Sequence, residues 1–555
     1  MGMEDDDRTP RRPALARMAA VAGVMRARDL RRLQLGWAAF FLIDAVTIVA
    51  LSVWAFAEDG ARGVGVLGLV RLLPVGLALP FGAWAADRFP RRQLVTAVFA
   101  AVAVTTALGA VALAADAPAA VVYVLAAAAS VAGAPYRPAH LALAPLVARS
   151  PEELVAINVT AGTLEGLVTF LGPVLAGAIL LTTEPGVVLT TAAAAGLAGM
   201  WAVRGIDVQT DPSRAVRGSE RPIDALMGGW SELRTNSDMT VIVGCFIAQL
   251  LVRGLLGVLL VSVSFDLVDL GSSGVGWLGA AMGVGALVGA LASVALTGRR
   301  RLGGPFAAAL AVWGFPIAVI GFFPNKAVAL ASLAAVGVGN ALLDVSGFTM
   351  LQRLGNDRAL GRVFGVFFTI GIAVAGIGSM VAAVLVDAFG LRPVLVGAGA
   401  LLPALALVLL PRFRGIDSRS EPATDIVLLL TRVPLMSPLP PTMLEKLAAR
   451  AEVVECAVGD VVVAEGEPGD RFYVIIEGTA DVTHAGTTAR SPGAGDSFGE
   501  VALLHDMPRT ATVTTTSACR LLCIGRRDFM DALTSSEAAF SVGRRVADRH
   551  LASYR

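Results

Sequence analysis

The sequence predicts an all-α membrane domain of twelve transmembrane helices in two six-helix halves. A small cytosolic α+β domain follows, with an antiparallel β jelly roll and flanking helices. The 555 residues have a mean hydropathy of +0.71 and are 55% hydrophobic. Only 16% are charged, where about 25% is usual for a soluble protein. Beyond about residue 452, long apolar runs give way to short ones separated by Gly-Asp turns, which is typical of strands.

Apolar segments long enough to cross a bilayer core of about 30 Å recur along the first 411 residues. Their boundaries are least distinct around 118–181, where three prolines interrupt the pattern. The twelve predicted spans are 33–56, 64–86, 93–115, 118–145, 155–181, 185–204, 239–263, 274–297, 304–323, 327–350, 362–387 and 391–411.

Arginine is unevenly distributed among the loops. The loops after the second, eighth and tenth spans hold Arg88, Arg91 and Arg92, then Arg299, Arg300 and Arg301, then Arg353, Arg358 and Arg362. The alternate loops hold single positive residues: Arg62, Lys326 and Arg392. Because positive residues mark cytoplasmic loops, we expect a multi-pass protein of the inner (plasma) membrane with both termini in the cytoplasm. Residues 1–30 lack a cleavable signal-peptide pattern and are interpreted as a cytoplasmic basic segment.

A polar stretch, Asp207 to Asp238, separates the sixth span from the seventh and includes Arg214, Arg217, Glu220 and Arg221. Two similar six-span halves favour a transporter with its site between them. In the eighth span, glycines four residues apart predict close helix packing, at Gly279, Gly283, Gly285 and Gly289. The predicted organisation is 1–30 N-terminal segment, 31–205 first half, 206–238 central loop, 239–411 second half, 412–425 exposed linker and 426–555 cytosolic domain.

Two motifs in the membrane part resemble a known family. The run Ala83-Trp84-Ala85-Ala86-Asp87-Arg88-Phe89-Pro90-Arg91-Arg92 is similar to the loop signature of the major facilitator superfamily, although Ala83, Ala85 and Pro90 depart from it. Gly172-Pro173-Val174-Leu175-Ala176-Gly177 resembles the antiporter motif of that superfamily with one glycine lost. Phrases such as Arg71-Leu72-Leu73-Pro74 are similar to siderophore and drug exporters. The resemblance implies the major facilitator fold over about residues 30 to 411.

That resemblance also gives the loop residues a role. It implies that Asp87 lies near the N-terminus of the eleventh span, where the helix dipole attracts a carboxylate. Asp87, Arg88, Arg91 and Arg92 are therefore interpreted as a conformational latch and not as a substrate site.

Charged residues within the spans are costly, about 3 kcal/mol or more at mid-bilayer, and are therefore functional candidates. The candidates for transport or proton coupling are Asp44, Arg71, Glu165, Arg253 and Asp344. One interpretation is that Asp44 or Glu165 takes up a proton while Arg71 or Arg253 balances its charge. The other is that these residues form fixed ion pairs that hold helices together.

The stretch from Phe498 to Val513 resembles the phosphate-binding cassette of cyclic-nucleotide-binding domains, and helices around a β-roll match that family over 426–555. The resemblance implies that Glu500 accepts a hydrogen bond from the ribose 2′-hydroxyl and that Arg509 pairs with the cyclic phosphate. Gly499, Val501, Ala502, Thr510 and Ala511 complete the implied site. The base is expected to lie under the last helix, where Arg544, Arg545, Val546, His550 and Leu551 are candidates. We expect cyclic AMP from general bacterial usage, with cyclic GMP open because Thr510 does not decide between them.

Together these patterns predict a secondary exporter of a drug, siderophore or lipid-like compound, regulated allosterically by cyclic nucleotide. Lys326 and Lys446 are the only lysines and neither follows glycine, so no Walker A loop exists and ATP does not drive transport through one. No catalytic residue, metal site, bound cofactor or nucleic-acid partner is predicted. Protons are the expected coupling ion. Two alternatives stay open: a cyclic-nucleotide-gated channel, and a receptor whose membrane part no longer transports.

Overall fold

The computed structural model describes residues 27–148, 151–206, 222–296, 299, 301–355, 357–420 and 424–552. The chain divides into two compact units, Met1–Arg414 and Gly415–Arg555. Most of the predicted N-terminal segment lies outside the described residues, and so do Arg214, Arg217, Glu220, Arg221 and Arg300. The finer domain boundaries stay predictions.

The first unit is helical throughout its described part. Its helices are α1 (Arg28–Arg88), α2 (Arg91–Ala114), α3 (Ala119–Gly133), α4 (Tyr136–Val147), α5 (Pro151–Ile179), α6 (Pro185–Arg204), α7 (Pro222–Thr235), α8 (Ser237–Ser262) with a π-helical turn Val263–Leu267, α9 (Gly271–Ala292) with a 3₁₀ turn Ser293–Leu296, α10 (Gly303–Phe322), α11 (Lys326–Leu354), α12 (Asp357–Phe389) and α13 (Leu391–Ser420), the last of which runs into the second unit.

The number of membrane-crossing segments agrees with the sequence. Eleven helical stretches of the described residues are long and apolar enough to cross a membrane, and α3 with α4 counts as one of them. The first, α1, has 61 residues and is interrupted by non-helical dihedrals at Asp59 and Gly60, where φ is −148° and 52°. Counting α1 as two spans gives the predicted twelve.

The glycines of α9 bring it close to two different neighbours. A Cβ at Gly283 would lie 2.7 Å from the Cα of Phe170 on α5, and one at Gly289 would lie 2.8 Å from the Cα of Val338 on α11. Any side chain at these positions would push the helices apart, so the glycine spacing is needed for close packing on both sides.

The prediction of a loop over 206–238 is wrong for its second part. Residues Pro222–Thr235 form α7, and Leu233 on it is only 6% exposed. Gly228 packs against the Arg362 side chain of α12, where a Cβ would meet its Cδ at 2.9 Å. The polar composition suggested a loop, but an amphipathic helix that buries one face has similar composition.

The prediction of an exposed linker over 412–425 is also wrong for most of its length. Helix α13 continues past Pro411 to Ser420. Phe413 is fully buried and meets Phe306 of α10 edge-on, with ring centroids 5.3 Å apart, whereas Arg412 and Arg414 are exposed. Arg412 and Arg414 therefore belong to the exposed face of a helix, whereas Asp417 on the same helix is buried.

The second unit contains two four-stranded antiparallel sheets and flanking helices, as predicted. The sheet orders are β1-β8-β3-β6 and β2-β7-β4-β5. The elements, in chain order, are α14 (Thr424–Arg432), α15 (Pro441–Arg450), β1 (Glu452–Cys456), β2 (Val461–Val463), β3 (Arg471–Glu477), β4 (Ala480–His484), β5 (Thr487–Arg490), β6 (Ser497–Phe498), α16 (Glu500–Leu504), β7 (Thr512–Thr515), β8 (Cys519–Gly525), α17 (Arg526–Thr534) and α18 (Glu537–Ala552).

Side-chain alternation along β3 separates two hydrophobic cores. Phe472 and Val474 face the helices and pack with Phe529 of α17, while Tyr473 and Ile475 face the interior of the β-roll. Because neighbouring residues of a strand point to opposite faces, one central strand serves both cores. The result is a rigid roll against which the last two helices pack.

Candidate functional site

The residues that the cassette resemblance assigned to the nucleotide lie around one small cavity in the second unit. Its volume is about 30 Å³. All seven predicted residues line it: Gly499, Glu500, Val501, Ala502, Arg509, Thr510 and Ala511. The other lining residues come from the β-roll: Val463, Val482, Arg490, Phe498 and Val513.

Backbone geometry at Gly499 brings these residues together. Strand β6 pairs with β3 through Phe498 and Tyr473, and helix α16 begins two residues later at Glu500. Gly499 makes this turn with φ 92°, a left-handed conformation that residues with a Cβ rarely adopt. A Cβ there would also lie 2.7 Å from Nη1 of Arg509. The glycine therefore allows both the turn and the close approach of the arginine.

Arg509 is a buried cation held by main-chain carbonyls. The residue is 5% exposed, and it donates from Nη1 to Gly499 O at 3.0 Å and from Nη2 to Arg471 O at 2.8 Å. The carboxylate of Asp470 is 3.7 Å away, and the guanidinium lies over the Tyr473 ring at 5.9 Å. Burial lowers the pKa of Arg509 from its usual value, and the nearby Tyr473 and Asp470 oppose this shift. A compact anion in the cavity would add a counter-charge that carbonyl dipoles do not supply.

Glu500 is a buried carboxylate with one oxygen still available. The residue is 2% exposed, and its Oε1 lies 2.5 Å from Nδ1 of His550 on α18. Its other oxygen, Oε2, is buried and has no hydrogen-bond partner in the described part of the chain. A buried acceptor without a donor is costly, so this oxygen fits a ligand that brings a hydroxyl.

Sequence reasoning missed Arg490, the last residue of β5, which also lines the cavity. Its Nη1 lies 2.9 Å from Nε2 of His550 and its Nη2 donates to Ser497 O at 2.7 Å. Its Nε is buried without a partner among the described residues. The sequence of β5, from Thr487 to Arg490, contains no motif that indicates a binding role. Arg490 lies beside the cassette because it pairs with Val482 of β4.

Of the residues proposed to cover the base, His550 forms a polar contact with the cassette, at Glu500. Arg544 lies over Phe540, and Arg545 donates weakly to Ser541 O on its own helix. Val546 and Leu551 pack on the helical core. The last helix therefore makes polar contacts with the cassette through His550 and through Asp548, which lies 3.1 Å from His505, and it shares a hydrophobic core with Val501 and Leu504.

Asp44, one of the predicted membrane candidates, pairs with Arg71. The Asp44 Oδ1 to Arg71 Nη2 distance is 2.8 Å, and Arg71 Nε donates to Ser130 Oγ at 3.0 Å. The Arg71 side chain is 8% exposed, whereas that of Asp44 is 64% exposed. One partner is thus fixed between helices and the other is accessible, which suits a group that exchanges a proton or contacts a substrate.

Glu165 pairs with Arg137 and not with another of the predicted candidates. Arg137 Nη2 lies 3.2 Å and 3.3 Å from the two carboxylate oxygens, and its guanidinium is 5.8 Å from the ring centroids of Trp37 and Phe41. Arg137 is not among the transport candidates that the sequence predicted. The aromatic rings make this a combined ionic and aromatic site.

The second half contains a separate polar network. Asp344 Oδ2 accepts from Asn340 Nδ2 at 3.0 Å, and Asn340 Oδ1 accepts from Trp313 Nε1 at 3.1 Å. Gln249 lies 3.5 Å from the same oxygen. Arg253 on α8 is exposed and forms no ion pair with a residue that the structure describes. Asp44, Glu165 and Asp344 therefore belong to three distinct local networks.

The predicted latch residues are at one end of the helices. Asp87 is exposed and has no hydrogen-bond or ion-pair partner among the described residues. Arg88 lies over the Trp84 ring at 5.4 Å, and Arg92 donates to Ile206 O at 3.0 Å. In this arrangement Asp87 does not make the interhelical contact that the resemblance implies.

The two halves of the first unit meet at the opposite end. Phe56 stacks on Phe265 with ring centroids 4.7 Å apart, and Arg62 forms an ion pair with Asp387. Gly65 lies so close to α12 that a Cβ would be 3.0 Å from Ser379 O. The halves are therefore in contact at this end, whereas Asp87 at the other end has no partner among the described residues.

The fold and its apolar helices define a multi-pass membrane protein with an additional β-roll domain. A family model described as Major Facilitator Superfamily matches residues 33–378, more than half of the chain, and one described as cyclic nucleotide-binding domain matches residues 453–536. The chain belongs to the Major Facilitator Superfamily and carries a C-terminal cyclic nucleotide-binding domain.

The similar proteins match a short part of the chain. A cAMP-dependent protein kinase regulatory subunit of Aspergillus niger is 37% identical over 102 residues, covering 18% of this chain and 25% of that protein. A cyclic nucleotide-gated potassium channel of Mesorhizobium japonicum is 33% identical over 119 residues, covering 21% of this chain and 33% of that protein. The chain thus spans a quarter to a third of the length of these relatives.

A solved structure of the regulatory domain of Toxoplasma gondii PKA with cAMP is 24% identical, with a TM-score of 0.23, covering 25% of this chain and 56% of that one.

Proposed function

We propose that this protein is a secondary transporter whose activity is regulated by a cyclic nucleotide bound to its C-terminal domain. One observation carries the regulatory part. Arg509 and Glu500 are both buried and line the same cavity, and Glu500 Oε2 has no hydrogen-bond partner in the described structure. A cyclic nucleotide offers the matching groups: an anionic cyclic phosphate for the guanidinium and a 2′-hydroxyl for the carboxylate.

The proposed nucleotide is cyclic AMP. Support comes from the similar proteins, which are named cAMP-dependent protein kinase regulatory subunits. Thr510 does not distinguish cyclic AMP from cyclic GMP. Parallel titrations with both nucleotides decide the question directly.

For the membrane part we propose proton-coupled export of a small molecule, with Asp44 as the first candidate for the coupling site. Support comes from its position within a span, its accessible side chain and its ion pair with the buried Arg71. Protonation of Asp44 would remove that pair and leave Arg71 without its counter-ion, which gives a physical route from proton uptake to helix movement. Glu165 and Asp344 are the alternatives, each in its own network.

The arginine-rich loops support an orientation in which the end bearing Asp87 is cytoplasmic and both termini are cytoplasmic, in the plasma membrane. The end at which Phe56 meets Phe265 and Arg62 pairs with Asp387 would then face outward, and these contacts between the halves support the proposal of an inward-facing arrangement. Nucleotide binding can bias the inward–outward equilibrium by its differential affinity for the two states, typically about 1–3 kcal/mol.

The test is flux in proteoliposomes with an imposed pH gradient, with and without cyclic AMP. The panel contains a siderophore, lipophilic cationic drugs and a lysolipid, and Arg509→Ala serves as the variant that does not respond to nucleotide. We expect flux of at least one compound that changes with cyclic AMP in the wild type only. Background flux under all conditions would favour a receptor without transport, and single-channel currents in planar bilayers would favour a channel. We propose a transporter and not an enzyme, since the superfamily match covers most of the membrane part.

A further inference from the structure

Helix α7, in the central segment between the two halves, carries an exposed apolar stripe. Ile223, Met227 and Trp230 are 63%, 66% and 48% exposed. They follow one another at intervals of four and three residues, so they lie on one face of the helix. A contiguous apolar surface of this kind marks an interaction site more often than a surface in contact with water.

The other sides of α7 have different surroundings. One side packs on α12, where Gly229 is buried and a Cβ on it would lie 2.7 Å from Cγ2 of Val366. The side away from this contact holds the exposed polar residues Asp224 and Ser231. The helix therefore has a protein-facing side, an apolar side and a polar side. That division is typical of helices that lie in the plane of a membrane interface.

The position of α7 puts its stripe beside the ends of two membrane spans. Only Asn236 separates α7 from α8, whose apolar stretch begins at Ser237. Asn236 has extended dihedrals, φ −113° and ψ 94°, so α7 and α8 are not one continuous helix. The contact with α12 at Val366 lies close to Leu360, where the apolar stretch of that helix begins. The stripe is thus expected at the depth of the lipid headgroups and the adjoining acyl chains.

Arg234 adds one positive charge to the stripe. It lies one turn beyond Trp230, and its guanidinium is 5.4 Å from the centroid of a Trp230 ring. It is exposed and has no hydrogen-bond or ion-pair partner among the described residues. The acidic residues of α7, Asp224 and Glu232, are on other faces of the helix. An anion beside the stripe would therefore meet Arg234 without competition from a carboxylate of the same helix.

The charge of the neighbouring loops indicates which leaflet α7 meets. Gly355 follows Arg353 at the end of α11, and a Cβ on it would lie 3.2 Å from Met239 in the first turn of α8. One of the arginine-bearing loops is therefore at the same end of the membrane part as α7. Positive residues mark the cytoplasmic side, where the leaflet contains anionic lipid.

From these features we propose that α7 is an interfacial helix that binds anionic phospholipid. Ile223, Met227 and Trp230 contact the upper acyl chains, and Arg234 contacts a headgroup phosphate. A lipid leaflet fits this surface better than a protein partner does, because the stripe lies beside spans whose outer faces contact lipid, and because tryptophan and arginine are suited to the interface. The proposal goes beyond regulated transport and depends on neither flux nor nucleotide binding.

The first experiment is quenching of tryptophan fluorescence in full-length protein reconstituted in lipid nanodiscs. The contribution of Trp230 is the difference between the wild type and Trp230→Phe. Phosphatidylcholine brominated near the top of its acyl chains should quench this contribution, and acrylamide in the water should not. Trp201→Phe is the matched control, since Trp201 is 76% exposed within the span of α6 and should be quenched by the same lipid.

The second experiment measures the preference for an anionic headgroup. Brominated phosphatidylglycerol and brominated phosphatidylcholine are compared at equal mole fraction. The phosphatidylglycerol should quench the Trp230 contribution at least about twofold more, because a basic residue attracts anionic lipid. Arg234→Gln should remove this difference. Arg392→Gln is the control and should retain it, since Arg392 is exposed and lies at the start of α13, the opposite end of the spans from Arg412, which contacts Ser237.

Three results would overturn the proposal. Quenching of the Trp230 contribution by acrylamide and not by brominated lipid would place the stripe in water. Quenching by neither would place it against protein. Equal quenching by the two brominated lipids would exclude a preference for anionic headgroups.

Hydrogen exchange on the wild type gives a test that needs no variant. Exchange in residues 222–235 should be slower in nanodiscs that contain phosphatidylglycerol than in nanodiscs of phosphatidylcholine alone, because anionic lipid would hold α7 in place. Equal exchange rates in the two lipids would contradict the proposal.

Discussion

Replacement of Arg509 by alanine tests the assignment of the phosphate subsite. In the free protein this side chain is 5% exposed and donates to two main-chain carbonyls, of Gly499 and Arg471, at 3.0 Å and 2.8 Å. A phosphate in the cavity would receive a charge-assisted contact from the guanidinium. Hydrogen bonds to charged groups contribute about 1.5–3 kcal/mol each. Because 1.4 kcal/mol is about tenfold in affinity, one lost contact predicts binding of cyclic AMP weaker by about 10- to 150-fold.

The same substitution also releases two carbonyls and a buried cation, so some loss of stability is expected and must be separated from the loss of affinity. Arg509→Lys retains the charge but not the planar fork, and should bind with intermediate affinity. Arg520→Ala is the control, because that side chain is about half exposed, pairs with Glu477 at 3.4 Å and lies on a strand that does not line the cavity. Calorimetry on full-length protein below the melting temperature of each variant measures the affinities.

Equal affinity of Arg509→Ala and the wild type would refute the site, whatever the stability of the variant. A comparable loss in Arg520→Ala would also refute it, because the effect would then come from the whole domain and not from the cavity.

Three further predictions concern both units. Asp44→Asn, which removes the titratable group but keeps its size, should abolish pH-dependent flux of any substrate found, and unchanged flux in proteoliposomes would move the coupling role to another residue. Gly283→Ala should lower the melting temperature, because the added methyl group would force α9 away from α5 at a cost of about 1–3 kcal/mol. Gly257→Ala is the control and should leave it unchanged, since a Cβ there meets nothing within 4 Å. Equal melting temperatures of the two variants would contradict this prediction. Burial raises the pKa of the Cys523 thiol to about 11. Iodoacetamide should therefore modify the partly exposed Cys456 before Cys523 at neutral pH. Faster modification of Cys523 would show that the β-roll opens.

The membrane spans were predictable because hydrophobic length is a local property of the chain. The break in α1 was placed between the first two predicted spans although it has no proline, since Asp59 and Gly60 interrupt the apolar run. Helices α7 and the end of α13 were missed for the opposite reason. Their charged residues are typical of a loop. Each is stabilised by a buried residue, Leu233 on α7 and Phe413 on α13, and by packing on a helix that is distant in sequence, α12 for α7 and α10 for α13.

The candidate sites divide in the same way. The seven cassette residues are close together in sequence, so a motif was enough to predict that they lie in one place. The partners of the membrane charges were only partly predictable. Asp44 and Arg71, which pair with each other, were both predicted candidates. Glu165 instead pairs with Arg137, and Asp344 accepts a hydrogen bond from Asn340. The rotation of each helix about its axis decides which side chains meet.

The sequence by itself determined the two-part organisation, the number of spans, the β-roll and the position of the stretch from Phe498 to Val513 that resembles a phosphate-binding cassette, because these follow from periodicity or from residues near one another in the chain. Only the tertiary structure decided that His550, 50 residues beyond Glu500, and Arg490, 60 residues before His550, meet at that motif. Contacts across such separations depend on how sheets and helices pack, and no local pattern specifies them. The packing therefore reveals a carboxylate with one oxygen bound by the chain itself and one with no partner in the described structure.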